Sequence, residues 1–347
     1  MRSEDTSSRD NVLALLEGRR YARIPCFSGL ISATVSGLDE LNLQLSEVHT
    51  DASKMAAAAA ASYQLFGLES VSVPLDMCVE AEALGAEVDF RVDAPHPELP
   101  RIVAPLADST ADFDVDLPAA VAATGRVPIV REAIRLLKQN VGNTVAVGAW
   151  VPGPVTLAMQ IVNVQNLMRD IALQEQVLNP VLDQLTDLLI GVANAYRSSG
   201  ADFITVHEMG GSPGFVGPPT FEKLVLPRLK RLLDSIPAPH VLSVCGDTNR
   251  AMPLLAAAGA NALSVDQTND LARSREVLGP EVVLLGNIDP IGALAHGTGA
   301  AVRSAVEQAI SAGVDAVWPA CDLWPLVPAE NMIAMIDEAG KHRRTAV

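Results

Sequence analysis

His240-Val241-Leu242-Ser243-Val244-Cys245-Gly246-Asp247 is a short, mostly apolar run that ends in polar and turn residues. A strand covered on both faces reads this way, as a near-continuous apolar stretch and not an alternating one. The same pattern recurs seven more times, at Ile24–Phe27, Ser70–Leu75, Thr144–Trp150, Asp202–His207, Ala262–Asp266, Val282–Asn287 and Ala316–Cys321. Helical periodicity fills most of the gaps. Leu178–Tyr196 carries Leu182, Leu185, Leu188, Leu189 and Val192 on one stripe, and Phe221–Leu233 carries Leu224, Leu229 and Leu232. Pro328–Gly340 places proline in a first turn, Met332, Ile333, Met335 and Ile336 within, and glycine at the end. Eight buried strands alternating with helices predict an α/β fold, a closed (β/α)8 TIM-type barrel. The competing open, doubly wound sheet calls for a Gly-rich phosphate loop after an early strand, and none is present.

Outward from this frame, Arg9–Gly18 reads as an N-terminal helix with Val12, Leu13, Leu15 and Leu16 apolar and Gly18 as its stop. The alanine run Ala56–Ala61 lies in a helical stretch. Ala86–Val103 reads as an extra hairpin and Ala107–Thr124 as an acidic excursion. One barrel domain over residues 1–347 is expected, with 1–23 as a helical extension.

Composition narrows the function. With 25 Lys+Arg against 41 Asp+Glu, the chain carries a net charge of −16. Phosphate binding is driven by clustered cations, so no nucleic-acid partner is expected. No apolar run is long enough for a transmembrane helix, and Met1-Arg2-Ser3-Glu4-Asp5 is unlike a secretory signal, so no membrane partner and a cytoplasmic location are expected. In a reducing compartment, Cys26, Cys78, Cys245 and Cys321 are expected as buried thiols, metal ligands or nucleophiles, not crosslinks.

Active sites of such barrels lie at the C-terminal ends of the strands. The polar residues there are Asp76, His207, Glu208, Ser243, Cys245, Asp266, Asn287, Asp289, Cys321 and Asp322. Cys245 and Cys321, on separate strand ends, suit a zinc site with Glu208 as third ligand and one open position. The plainer reading makes both cysteines small buried hydrophobes, and it is the reading adopted for Cys26 and Cys78. His207 and Glu208 are neighbours on a strand, so only one of them faces a given side. His207 and His240 are expected in structural or surface roles. Asp76, Glu80 and Glu82 read either as acids supporting the site or as helix-start acids. Asp289-Pro290 reads as a turn, and Gly153-Pro154-Val155-Thr156 as a turn into a helix with close approach to a ligand.

The chain resembles the uroporphyrinogen decarboxylase superfamily, and within it the methylcobamide:coenzyme M methyltransferases and related corrinoid-dependent methyltransferases. The resemblance is carried by Asp76-Met77-Cys78-Val79-Glu80-Ala81-Glu82-Ala83-Leu84-Gly85-Ala86, Gly153-Pro154-Val155-Thr156-Leu157-Ala158, Glu208 followed by Phe221 and Pro227, Cys245-Gly246-Asp247, Gly286-Asn287-Ile288-Asp289-Pro290, and Cys321 followed by Pro328-Ala329-Glu330-Asn331-Met332. It implies a (β/α)8 barrel and zinc held by a His-x-Cys pair plus a distant cysteine. Cys245 and Cys321 match the two cysteines, while Ser243 stands where the histidine is expected. Glu208 then completes the shell with water or substrate, or His207 or His240 moves in, or metal affinity is lost. Asp266 and Asp289 act beside Glu208 by orienting the ligands, and Asp76, Asn287 and Ser243 line the cofactor's place. The implied reaction moves a methyl group from a methylcorrinoid (cobalamin) to a small acceptor, a thiol such as coenzyme M, with tetrahydrofolate as an alternative. The corrinoid is expected on a separate corrinoid protein, because the chain lacks the Asp-x-His-x-x-Gly signature. The decarboxylase branch instead needs N-terminal arginines, and Cys26-Phe27-Ser28-Gly29-Leu30-Ile31 contains none. A third alternative, for which Ser243 is the best argument, is a corrinoid- or ligand-binding barrel without zinc catalysis.

Overall fold

The computed structural model describes residues 6–114, 117–118, 120–173 and 175–342. The first five residues of the expected N-terminal extension, and positions 115, 116 and 119 of the acidic excursion, lie outside the described residues. Among the described residues nine strands form: β1 (Ser70–Val73), β2 (Val88–Asp89), β3 (Arg101–Ile102), β4 (Ala146–Pro152), β5 (Phe203–Glu208), β6 (His240–Val244), β7 (Ala262–Val265), β8 (Val283–Ile288) and β9 (Ala316–Pro319). Seven of them make one parallel sheet in the order β1-β4-β5-β6-β7-β8-β9, and β2 and β3 form the expected antiparallel hairpin. Parallel neighbours need long crossovers, and helices supply most of them. The result is a TIM-type α/β architecture. Every residue of β4, β5, β6, β7 and β9 is buried, which is why these strands read as unbroken apolar runs.

The expected strand at Ile24–Phe27 is corrected. Among the described residues it makes only one isolated parallel bridge, Cys26 to Val317. It is still pinned on both sides. Phe27 N donates to Val317 O at 3.1 Å and Val317 N to Pro25 O at 2.9 Å, while Glu69 N, just ahead of β1, donates to Cys26 O at 2.9 Å. Pro25 has no N–H to extend a ladder, which limits the segment to a few bonds.

Aromatic rings fill the interior. Phe27 meets Trp318 edge-on at 5.0 Å and Phe203 at 6.1 Å. Gly29 lies over this layer, where an added Cβ would come within 2.1 Å of Thr205 Oγ1. The helices follow the sequence closely, at Ser8–Leu16, Ala52–Phe66, Glu175–Ser198 and Ala329–Gly340. Phe221–Leu233 departs from a plain α-helix, opening with a π turn at Phe221–Val225 before the helix Leu226–Asp234. Pro227 lacks the amide that would close a normal α-helical bond, which favours the wider turn there. Among the described residues no helix is long and apolar enough to cross a membrane.

Candidate metal centre

Three strand ends converge at the C-terminal side of the sheet. β5 delivers His207, β6 runs directly into Cys245, and Cys321 follows β9 by two residues. The ligand atoms of His207, Cys245 and Cys321 all lie within 4.8 Å of one another. His207 is buried and the two cysteines are half-buried, so the cluster is walled on one side and accessible on the other. His207 Nε2 sits 3.7 Å from Cys245 Sγ. Its Nδ1 lies 3.1 Å from Ser243 Oγ, and its ring stands edge-on to Trp150 at 6.2 Å. Burial pushes the His207 pKa down from 6.5 to about 4, so the ring is neutral at neutral pH and holds a lone pair for a metal.

Cys245 and Cys321 are joined in a disulfide, with Cα atoms 5.5 Å apart. The expectation that all four cysteines stay uncrosslinked is corrected for this pair. The convergence of the two strand ends brings the sulfurs together. The same proximity suits a metal once the pair is reduced. Donors at about 2.0 Å (nitrogen) and about 2.3 Å (sulfur) from a tetrahedral ion stand roughly 3.5 Å apart, close to the observed separation of His207 Nε2 and Cys245 Sγ. A borderline-soft donor set of one imidazole and two thiolates is a zinc set. The residues present therefore fit the ion. Cys26 and Cys78 are buried and free, and burial raises both thiols, Cys78 to about 12, so neither is a poised nucleophile.

A family model described as Uroporphyrinogen decarboxylase (URO-D) matches residues 7–342. The chain belongs to the uroporphyrinogen decarboxylase family. Within that family it is 31% identical over 330 residues to the methylcobamide:CoM methyltransferase MtaA of Methanosarcina barkeri, covering 94% of this chain and 96% of the relative. It is 29% identical over 336 residues to a methylated-thiol–coenzyme M methyltransferase of Methanosarcina mazei, covering 97% and 89% of the two chains. Among solved structures, a methyltransferase from Methanosarcina mazei superimposes with a TM-score of 0.91 at 28% identity, over 97% of this chain and 99% of that one. A B12-independent methionine synthase from Shewanella sp. W3-18-1 shares the fold, with a TM-score of 0.60 at 14% identity over 92% and 97% of the two chains.

The structure of this uroporphyrinogen decarboxylase family member redistributes the residues singled out from sequence. Glu208 does not join the sulfurs. Its Oε1 accepts from Thr156 N at 3.0 Å, from the Thr156 hydroxyl and from Gly211 N at 2.8 Å, and its Oε2 accepts from Val155 N at 3.2 Å. The carboxylate thus caps the start of the helix Pro154–Ile161 and ties it to the β5 loop. Gly153 makes room for it, since a Cβ there would lie 2.2 Å from Glu208 Oε2. The close approach at Gly153, expected toward a ligand, is toward this carboxylate. Burial pushes the Glu208 pKa up, against the hydrogen bonds from Thr156 and the backbone amides. His207, expected in a structural or surface role, takes the third place at the cluster instead. His240, at the start of β6, is remote from it in register, opposite Ile204.

Asp76 is fully buried and holds Arg126 in a two-pronged ion pair, at 2.7 and 3.0 Å, while His49 Nδ1 lies 2.9 Å away. Burial opposes its charge, but bonds from His49 and Arg126 win and hold its pKa below the usual carboxylate range. Asp266 Oδ1 accepts from Thr268 N and Oγ1, both at 2.8 Å. Asn287 Nδ2 donates to Asp266 O and Asn269 O, so these two predicted residues do meet, through the backbone. Asp289 caps the turn Pro290–Ala295 through Ile291 N and Gly292 N. All four carry structural bonds at the strand ends, and none belongs to the His-Cys-Cys group. Asp322, beside Cys321, is half-buried, and desolvation raises its carboxyl pKa well above its ordinary value.

Proposed function

We propose that this protein transfers a methyl group from a methylated corrinoid to the sulfur of a small thiol, coenzyme M or a close analogue, with zinc held by His207, Cys245 and Cys321. The observation that carries the reading is the convergence of those three side chains at one strand-end cluster with an accessible side. The names of the relatives support the donor and the acceptor class. We take residues 24–27 as the eighth position of a (β/α)8 barrel and the chain as one domain with an N-terminal helical extension.

A bound zinc ion would lower the pKa of a coordinated thiol, so that the acceptor sulfur is anionic at neutral pH. In the overall reaction the acceptor forms an S–CH3 bond, its proton goes to solvent, and the cobalt–carbon bond breaks with its electron pair left on cobalt. The protein's own part is positional. His207 is neutral and ready to ligate without first losing a proton. Glu208 fixes the helix Pro154–Ile161 beside β5 and so shapes the wall next to His207. Met77, Met159, Met209 and Phe215 line an apolar hollow near this wall, a surface for the methyl donor's partner protein to cover. Asp266, Asp289, Asn287 and Asp76 hold the loops that frame the mouth. Because both sulfurs must be thiolates, the active form is the reduced one, which fits a reducing, cytoplasmic setting.

The test is direct. Reduced protein is freed of metal, reloaded with zinc and mixed with methylcobalamin and a thiol, and the cobalamin absorbance is followed. Zinc-dependent loss of methylcobalamin with methylation of the thiol is expected. Full turnover by zinc-free protein would refute the reading.

A further inference from the structure

We propose that Ser243 is a positioning residue that selects which nitrogen of His207 faces the metal. The inference rests on the reading that His207, Cys245 and Cys321 hold zinc, and adds to it the device that makes an imidazole from β5 usable.

β5 and β6 are parallel neighbours in which His207 is paired directly with Ser243. Side chains at paired positions leave the same face of a sheet. Ser243 is also two residues before Cys245, so the hydroxyl, the imidazole and the thiol share one side. His207 Nδ1 meets Ser243 Oγ at 3.1 Å, and Nε2 faces Cys245 Sγ at 3.7 Å. A neutral imidazole carries one proton, and the partner of one nitrogen decides whether the other has a lone pair. A hydroxyl can accept from or donate to an imidazole nitrogen, and we assign acceptance here: with Nδ1–H donating to Ser243 Oγ, the lone pair sits on Nε2, on the side of the sulfurs, where the metal reading requires it. Trp150 stands edge-on against the ring and restricts the space for alternative ring positions. Both His207 and Ser243 are buried, so water is a poor substitute for the hydroxyl. Without it, the buried Nδ1–H lacks a partner, and the Nε2–H tautomer, which points a proton at the metal's place, becomes competitive.

The experiment compares reduced wild type with Ser243→Ala and Ser243→Thr. Zinc affinity is measured by competition with a chromophoric chelator. The His207 tautomer is read from 15N shifts in the reduced, metal-free protein, and the donor set from the spectrum of the Co2+-loaded form. Wild type is expected to bind one zinc ion and show the Nδ1–H tautomer. Ser243→Ala should bind zinc about 10–100-fold more weakly, with the tautomer signal shifted toward Nε2–H and the tetrahedral Co2+ bands retained at saturation. Ser243→Thr, which keeps the hydroxyl, should recover most of the affinity. Equal affinity and an unchanged tautomer in Ser243→Ala would overturn the proposal while leaving the metal reading intact. A wild type that binds no zinc would overturn the metal reading, and this proposal with it.

Discussion

Replacing Glu208 separates a ligand from a helix cap. Its carboxylate receives four donors, Val155 N, Thr156 N, the Thr156 hydroxyl and Gly211 N, all buried. A hydrogen bond to a charged group contributes about 1.5–3 kcal/mol, and leaving a buried donor unpaired costs about 1–3 kcal/mol. Four such terms do not add in full, because the carboxylate's own burial is unfavourable and the helix start can relax. Removing the acceptor leaves several buried N–H and O–H donors unpaired, each costing about 1–3 kcal/mol before relaxation, so a loss of about 3–5 kcal/mol is expected for Glu208→Ala. Glu208→Gln keeps the shape but turns an amide N–H toward amide donors, so a loss of about 1–3 kcal/mol is expected. Urea unfolding of the reduced protein reads both values, with the slope unchanged. Zinc affinity, measured on the same folded samples, should stay within a few-fold of wild type, because no Glu208 oxygen belongs to the cluster. If Glu208→Gln lost zinc while keeping its unfolding midpoint, the cap argument would fail and the carboxylate would be a ligand after all.

Cys321→Ala removes one of two thiolates and should abolish both stoichiometric zinc and methyl transfer, checked by elemental analysis and cobalamin absorbance. Oxidation of wild type with diamide should do the same reversibly, by forming the Cys245–Cys321 bond, and a dithiol should restore it. Glu80 is buried beside Tyr196, and its pKa rises from 4.5 to about 8, first from burial and then from the charge of Asp76. Its folded-state pKa lies above the unfolded value, so its contribution is intact below about pH 4.5 and is lost as pH rises through about 8. Glu80→Gln should therefore flatten the decline of stability over that window by a few kcal/mol, measured as unfolding midpoint against pH; an unchanged slope would count against a buried neutral carboxyl. Gly153→Ala should destabilise by about 1–3 kcal/mol, because its Cβ would meet Glu208 Oε2; a neutral effect in thermal melts would show that the cap yields easily.

Much of the frame was legible in the residue pattern alone. Runs such as Val241–Val244 are apolar because both faces of a parallel strand are covered, and that local constraint leaves a local trace. The hairpin in Ala86–Val103 and the helices at Ser8–Leu16 and Ala329–Gly340 were legible for the same reason. The pairing of Cys245 with Cys321 could be suggested from their positions at strand ends. Which neighbour, His207 or Glu208, would face those sulfurs could not. Alternation along a strand says only that the two point apart. The choice is made by the β5–β6 register, which sets His207 against Ser243, and by the helix start at Pro154, whose free amides draw Glu208 the other way. The ion pair between Asp76 and Arg126, 50 residues apart, is of the same kind. Periodicity records what each residue's own backbone and burial require, whereas a site records which strands lie side by side and at what offset, and that is fixed only when the whole sheet has assembled around its core.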